Sequence, residues 1–346
     1  MENPKLKIYH GSLDKPWPLV WFLLANYPAK KTHYGRFGEA VQDYFSEALV
    51  EVVSDPALAD YLLLPYLYNQ AKKDPVYLVE FEALAKQHHK SIIVVYPGDS
   101  SEAVTLKHAI VFRNSQYQSQ LRPNEIIMPA LADDLGLNQT LAPRQKGGRP
   151  VIGFCGWADF RNLNERLRYY LKLIFQCGPA RQGLWWRRKA LNLLRQSKLV
   201  VTNFLIRHSY SGNEKTISLD QATARREYID NILGSDLTLC VKGDGNFSVR
   251  FFEVLSLGRL PLFLDTDCPL PLADQINYDD FIVRLDWTKA DQVASLVAET
   301  YQGWSAEEFA RRQNLARATF VEYLRLDSFF ARTLTRDFLQ KYEPQD

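Results

Sequence analysis

The strongest constraint on this chain is a rhythm in which short uncharged runs alternate with stretches of helical period. "YLLLPYLY" (61–68) and "SIIVVYPG" (91–98) are continuous apolar runs, the pattern of parallel strands buried on both faces. Residues 76–89 between them read as a helix, "KIYH" (7–10) as an opening strand and "EIIMP" (125–129) as a further one. In "RFGEAVQDYFSEAL" (36–49), Phe37, Ala40, Val41, Tyr44, Phe45 and Ala48 recur at the spacing of one helix face. Strand, helix, strand in this order predicts a doubly wound α/β domain.

The rhythm then repeats. "NQTLAPRQKGGRP" (138–150) has two prolines and two adjacent glycines, the composition of a linker. After it come a strand at 151–156, a helix through "LNERLRYYLKLIF" and a helix near 220–233. Strands follow at 237–241, 260–264 and 281–285, and the last forty or so residues read as amphipathic helix. A chain of 346 residues exceeds the ~250–300 at which single cores stop growing. The expected division is 1–142 and 150–303 as two α/β domains, with 304–346 as a C-terminal helical segment.

The net charge of +2, from 42 basic and 40 acidic residues, predicts neither a nucleic-acid groove nor a polybasic membrane face for the chain as a whole and leaves local patches open. "GLWWRRKALNLLRQSK" mixes aromatics with cations, but Trp186, Leu191 and Leu194 fall at helical spacing, so an amphipathic helix is the plainer reading. Cys155, Cys177, Cys240 and Cys268 form no CxxC pair, and buried thiols are expected rather than a disulfide or a metal site. No signal peptide is visible in "MENPKLKIYHGSLDKPW", and "PLVWFLLANYP" is too short to span a bilayer. A cytoplasmic protein without a transmembrane segment is expected.

The stretch "GDGNFSVRFFEVLSLGRLPLFL" (243–264) carries the chemistry. Gly243 and Gly245 allow a tight turn and a close backbone approach to a ligand. A helix beginning near Ser248 offers unpaired amides to an anion. Arg250 adds a planar cation suited to phosphate, and Glu253, one turn on, can accept two hydrogen bonds from vicinal hydroxyls. By spacing alone, Arg250 and Glu253 could equally be an exposed helix pair.

The same stretch resembles the signature of exostosin-type glycosyltransferases through Ser235, Gly243, Ser248, Arg250, Glu253, Gly258 and Pro261. "SDPALADYLLLPYLY" is similar to an upstream segment of that family through Asp55, Pro56, Ala59, Pro65 and Tyr68, and "RPNEIIMPAL" and "RPVIGFCG" to two more. Gly258-Arg259-Leu260 departs from the family's Gly-Cys-Ile, and the membrane anchor of the animal enzymes is absent from this sequence.

The resemblance implies two Rossmann-like domains facing a cleft, the GT-B architecture, with C-terminal helices packing back. It implies an inverting transfer from a nucleotide-sugar, a UDP-sugar by preference, to a glycan or lipid-linked acceptor in polysaccharide biosynthesis. It implies no metal and no further cofactor. Gly243, Gly245, Ser248, Arg250 and Glu253 would hold the nucleotide, with Arg207 and Lys242 as further candidates; an exposed, solubilising position is the plainer reading of Lys242.

Inversion needs a general base, expected from a loop after an N-domain strand. Asp99, after the Pro-Gly turn of "VVYPGDSSE", is placed that way, although capping the following helix or turn is its plain alternative. His10 and Asp14, after the first strand, are rivals, and His33 is a weaker one. Competing readings are a GDP-fucose-type fucosyltransferase and a catalytically silent glycan-binding protein. The lack of G-x-G-x-x-G after the first strand argues against a Rossmann dehydrogenase.

Overall fold

The structure, a computed structural model, describes residues 5–25, 44–45, 47–137, 139–173, 176–208 and 220–344. The chain forms two compact units. One comprises 1–133, 269–272 and 322–346; the other comprises 134–268 and 273–321. Among the described residues no helix is long and apolar enough to cross a membrane.

The first unit holds a six-stranded sheet of β1 (Leu6–Tyr9), β2 (Val50–Val52), β3 (Tyr61–Leu63), β4 (Ile92–Tyr96), β5 (Ala109–Arg113) and β6 (Glu125–Ile127). Its order is β2-β1-β3-β4-β5-β6, and every pairing is parallel. β3 to β5 are buried at every position, as the apolar character of β3 and β4 and of β5 up to Arg113 requires. Leu62, Ile92, Val94 and Val111 share one cluster with Leu78, Phe81 and Ala85 of the helix Pro75–His88. Phe112 meets the ring of Phe330 at 5.4 Å, and Phe330 meets Phe22 at 5.1 Å. The helix Leu326–Thr333 thus supplies aromatic core to a sheet that lies some two hundred residues earlier in the chain, and C-terminal helix does pack back.

The run 61–68 stays in the sheet only through Leu63. Pro65 has no N–H for the ladder, Tyr66 makes a single antiparallel bridge to Leu19, and Tyr68 begins a short helix. β2 and β5 are not among the strands expected from sequence. The helix expected over 36–49 falls for the most part outside the described residues, as does His33.

The second unit holds β7 (Val151–Trp157), β8 (Val201–Arg207), β9 (Leu237–Cys240), β10 (Leu260–Asp265) and β11 (Val283–Asp286). Their order is β11-β10-β9-β7-β8, again all parallel. Counted from the first strand of each unit, both sheets therefore share the 2-1-3-4-5 order of a doubly wound fold. Trp186, Leu191 and Leu194 of the helix Gly183–Gln196 are buried, so the Trp-containing stretch is a core-facing helix.

The expected linker, described over 139–150, is irregular but tied down. Arg144 Nε donates to Asp236 Oδ1 at 2.7 Å, and the Gly147 amide donates to Tyr301 Oη at 2.8 Å. Arg259, the departure from the resembled pattern, is buried and donates to the carbonyl of Ala142 at 3.3 Å. None of the four cysteines is in a disulfide; Cys155, Cys240 and Cys268 are buried and Cys177 is exposed.

Candidate functional site

In open parallel sheets, ligands settle outside the carboxyl ends of the strands where the order reverses. In the second unit that point lies between β7 and β9. The helix Val249–Ser256 starts after eight intervening residues beyond β9 and brings Arg250 to this edge. Its Nη2 donates to the carbonyl of Cys155, near the end of β7, at 2.7 Å, and its guanidinium lies 4.3 Å from the Phe154 ring centre. Nε of Arg250 is buried with no hydrogen-bond partner.

Glu253, one turn further, is buried. Its Oε2 accepts from Tyr228 Oη at 2.5 Å and its Oε1 lies 3.5 Å from Arg225 Nη1, both on the helix Gln221–Leu233. Burial, then the neighbouring Glu253 charge, pushes the Tyr228 hydroxyl well above its ordinary range, so it stays a donor. Arg250 and Glu253 are therefore not an exposed surface pair. Tyr228 neighbours both, its ring 5.8 Å from the Arg250 guanidinium and its hydroxyl on Glu253.

Ser248 stands at the N-cap but does not cap: its hydroxyl makes no hydrogen bond among the described residues, although the residue is only 8% exposed. Gly243 closes a turn by donating its amide to the Phe247 carbonyl at 3.0 Å. A Cβ there would meet nothing within 4 Å, so open space borders this turn. Gly245 is buried within it. Asn246 ties the turn to the loop after β10, accepting from Thr266 Oγ1 at 2.7 Å and donating to the Asp267 carbonyl at 3.0 Å.

Lys242 is only 3% exposed, which overturns the solubilising reading. Its Nζ donates to the Pro179 carbonyl at 2.6 Å, and burial pushes its amine down to about 8. The strand β9 carries it inward, and a position next to a glycine turn gave no hint of that. Arg207, at the end of β8, pairs with Glu227 at 2.8 Å and keeps a buried Nη1 without a partner.

Several residues of this edge carry no signal in the sequence. Gly156 has φ of +146°, and a Cβ there would lie 2.8 Å from Arg250 Nη2. Gly183 abuts β9 so closely that a Cβ would come within 2.0 Å of the Lys242 carbonyl oxygen. Arg187, one helical turn on, donates to the carbonyls of Trp157 at 2.6 Å and Lys242 at 3.3 Å, joining the ends of β7 and β9. Partners such as Tyr228, Arg225 and Arg187 are remote in sequence and have no motif spacing to betray them.

In the first unit, His10 and Asp14 follow β1 at the corresponding reversal between β1 and β3. His10 is buried and Asp14 exposed. His10 Nδ1 lies 2.8 Å from the Gly11 carbonyl. A carbonyl only accepts, so Nδ1 carries the proton and the ring's lone pair sits on Nε2. Burial pushes the imidazole below its ordinary range, which keeps it neutral.

Asp99 is exposed after β4, and no helix follows it, so helix capping is not its role. Its carbonyl accepts from Ser115 Oγ at 3.0 Å. Arg113, fully buried, orders the neighbouring loop by donating to the carbonyls of Ser100 (2.6 Å), Glu102 (3.1 Å) and Ser115 (2.9 Å) and to the Glu125 carboxylate. Burial works to raise the Glu125 carboxyl, but the Arg122 amide, Gln116 and Arg113 outweigh it and hold it below its ordinary value. Among the described residues no three His, Cys, Asp or Glu side chains gather as metal ligands would.

No described protein family and no curated protein matches this chain. Among solved structures, the chain is similar to a glycosyltransferase from Rickettsia africae at 10% identity and a TM-score of 0.39, over 99% of this chain and 100% of that one. A likeness of that depth does not decide an activity, which has to be argued from the residues.

Proposed function

We propose that the protein is a glycosyltransferase that binds its nucleotide-sugar donor, a UDP-sugar by preference, at the carboxyl edge of β7 and β9. The observation that carries this reading is Arg250 at the strand-order reversal, buried at Nε without a partner, beside the unengaged hydroxyl of Ser248 at a helix start. Both are donors waiting for an acceptor, in a place where the helix amides add positive potential. Glu253, set one turn inward, holds the ribose hydroxyls in this reading, and Arg207 and Lys242 add positive charge nearby.

Transfer proceeds with inversion. A base removes the acceptor hydroxyl's proton, the oxygen attacks the anomeric carbon, and the bond to the diphosphate breaks on the opposite side. The fixed cations and amides take up the leaving charge, the role a metal plays elsewhere. For the base the candidates are Asp99, His10 and Asp14, of which His10 is buried and held neutral while the two aspartates are exposed.

The test is a thermal-shift series of the purified protein with UDP, GDP and NAD, with and without Mg²⁺. Ligand at 100 times its dissociation constant stabilises by about 2.7 kcal/mol, enough to see. A UDP-selective, metal-independent shift lost in Glu253→Ala is expected. A GDP-selective shift would point to the fucosyltransferase-like reading, and no shift with any nucleotide to a silent glycan-binding protein.

A further inference from the structure

The helix Leu163–Leu173 wears its apolar stripe on the outside. Leu163, Leu167, Tyr170 and Leu171 are 79%, 62%, 42% and 54% exposed. At the ~100° per residue of an α-helix they fall within an arc of about 100°. Tyr169 points the other way and is the buried one among the described side chains of the helix, sharing a small aromatic cluster with Phe160 and Leu184. Trp157 and Trp185 pack against that cluster from its half-exposed side. An ordinary surface helix turns its apolar face to the body it packs on; here Leu163, Leu167, Tyr170 and Leu171 face solvent instead.

Charge says what would cover the stripe. Residues 161–173 contain Arg161, Arg166, Arg168 and Lys172 against the single acid Glu165, in a chain that is otherwise near neutral. Arg166 and Arg168 border the stripe on its two sides by helical spacing, and both are exposed. Exposed leucines and a tyrosine flanked by arginines, on a helix far shorter than the ~20 residues of a bilayer span, form the pattern of a helix lying in a lipid interface. The half-exposed Trp185 adds the aromatic type that favours that depth.

We propose that this helix docks the protein on an anionic lipid surface, with Leu163, Leu167 and Leu171 inserted among the acyl chains and Arg166 and Arg168 at the headgroups. The inference is independent of the sugar-transfer reading and does not fail with it.

The experiment is flotation of the full chain with vesicles of phosphatidylcholine containing 30% phosphatidylglycerol, and with phosphatidylcholine alone, at low and high salt. Binding to the anionic vesicles that weakens with salt is expected. Leu167→Glu with Leu171→Glu should weaken it about tenfold or more, and Arg166→Glu with Arg168→Glu about tenfold. Both pairs lie on exposed positions, and melting temperatures within a few degrees of the parent check that the fold is kept. Leu167→Ser with Leu171→Ser serves as a milder pair if the glutamates perturb the helix. Equal flotation of parent and leucine variants would overturn the proposal, and so would absence of binding to anionic vesicles. A parent that self-associates in solution and is made monomeric by the leucine variants would overturn it too, since the stripe would then be a protein interface.

Discussion

Tyr228 donates its phenolic hydrogen to Glu253 Oε2 across 2.5 Å, from a helix that ends before the strand preceding Glu253 begins. The bond fixes a buried carboxylate on the face of the second sheet where the strand order reverses. Replacing Tyr228 by Phe keeps the ring and removes the donor. The expected loss is about 1–3 kcal/mol in urea denaturation, the cost of leaving a buried acceptor short of a partner. A loss indistinguishable from zero would show that the bond does not position Glu253.

Gly156→Ala should behave unlike Gly243→Ala. The first places a methyl 2.8 Å from Arg250 Nη2 on a backbone with φ of +146°. It should cost about 1–3 kcal/mol through backbone strain and displace the guanidinium. The second meets open space and should stay within about 0.5 kcal/mol of the parent. Combining Gly156→Ala with Arg250→Ala in a stability cycle should show non-additivity of at least ~0.5 kcal/mol. Simple additivity would mean that the two positions do not communicate.

Lys242 predicts a pH dependence. An unfolded lysine titrates near ~10.4, whereas burial brings this one down to about 8. Between those values the unfolded chain holds a proton that the folded one has released, so stability rises as pH rises through the window. Below it both states are protonated and the full penalty of a buried charge, about 3 kcal/mol, applies. The measurement is the stability difference between parent and Lys242→Met from pH 7 to 10.5, which cancels the other titrating groups. The parent should gain on the variant as pH rises; a flat difference would sink the assignment.

Phe330→Ala should destabilise the first unit by about 3–5 kcal/mol. Its ring is fully buried and contacts Phe22, Phe112 and Phe329 at 5.1 to 5.4 Å. Hydrogen exchange should show the loss first in the amides of β5. Protection there that is unchanged from the parent would contradict a core completed by the C-terminal helix.

The alternation of apolar runs and helical periods determined by itself that two parallel α/β sheets would form. A strand buried on both faces has to be apolar without interruption, and that is visible along the chain at β3, β4, β7, β9 and β10. That Ser248 stands at a helix start with Arg250 and Glu253 within its first turns was legible too, because turn, helix start and one-turn spacing are local properties. What only the tertiary structure decided is whom they meet. Tyr228 beside Glu253, Gly156 beneath Arg250 and the inward turn of Lys242 depend on which strands become neighbours, and strand order leaves no trace in spacing. The same holds for Phe330, whose place against β5 follows from the chain's return to the first unit, and for the helix at 163–173, whose period is plain but whose outward stripe follows from Tyr169 packing inward on Phe160 and Leu184.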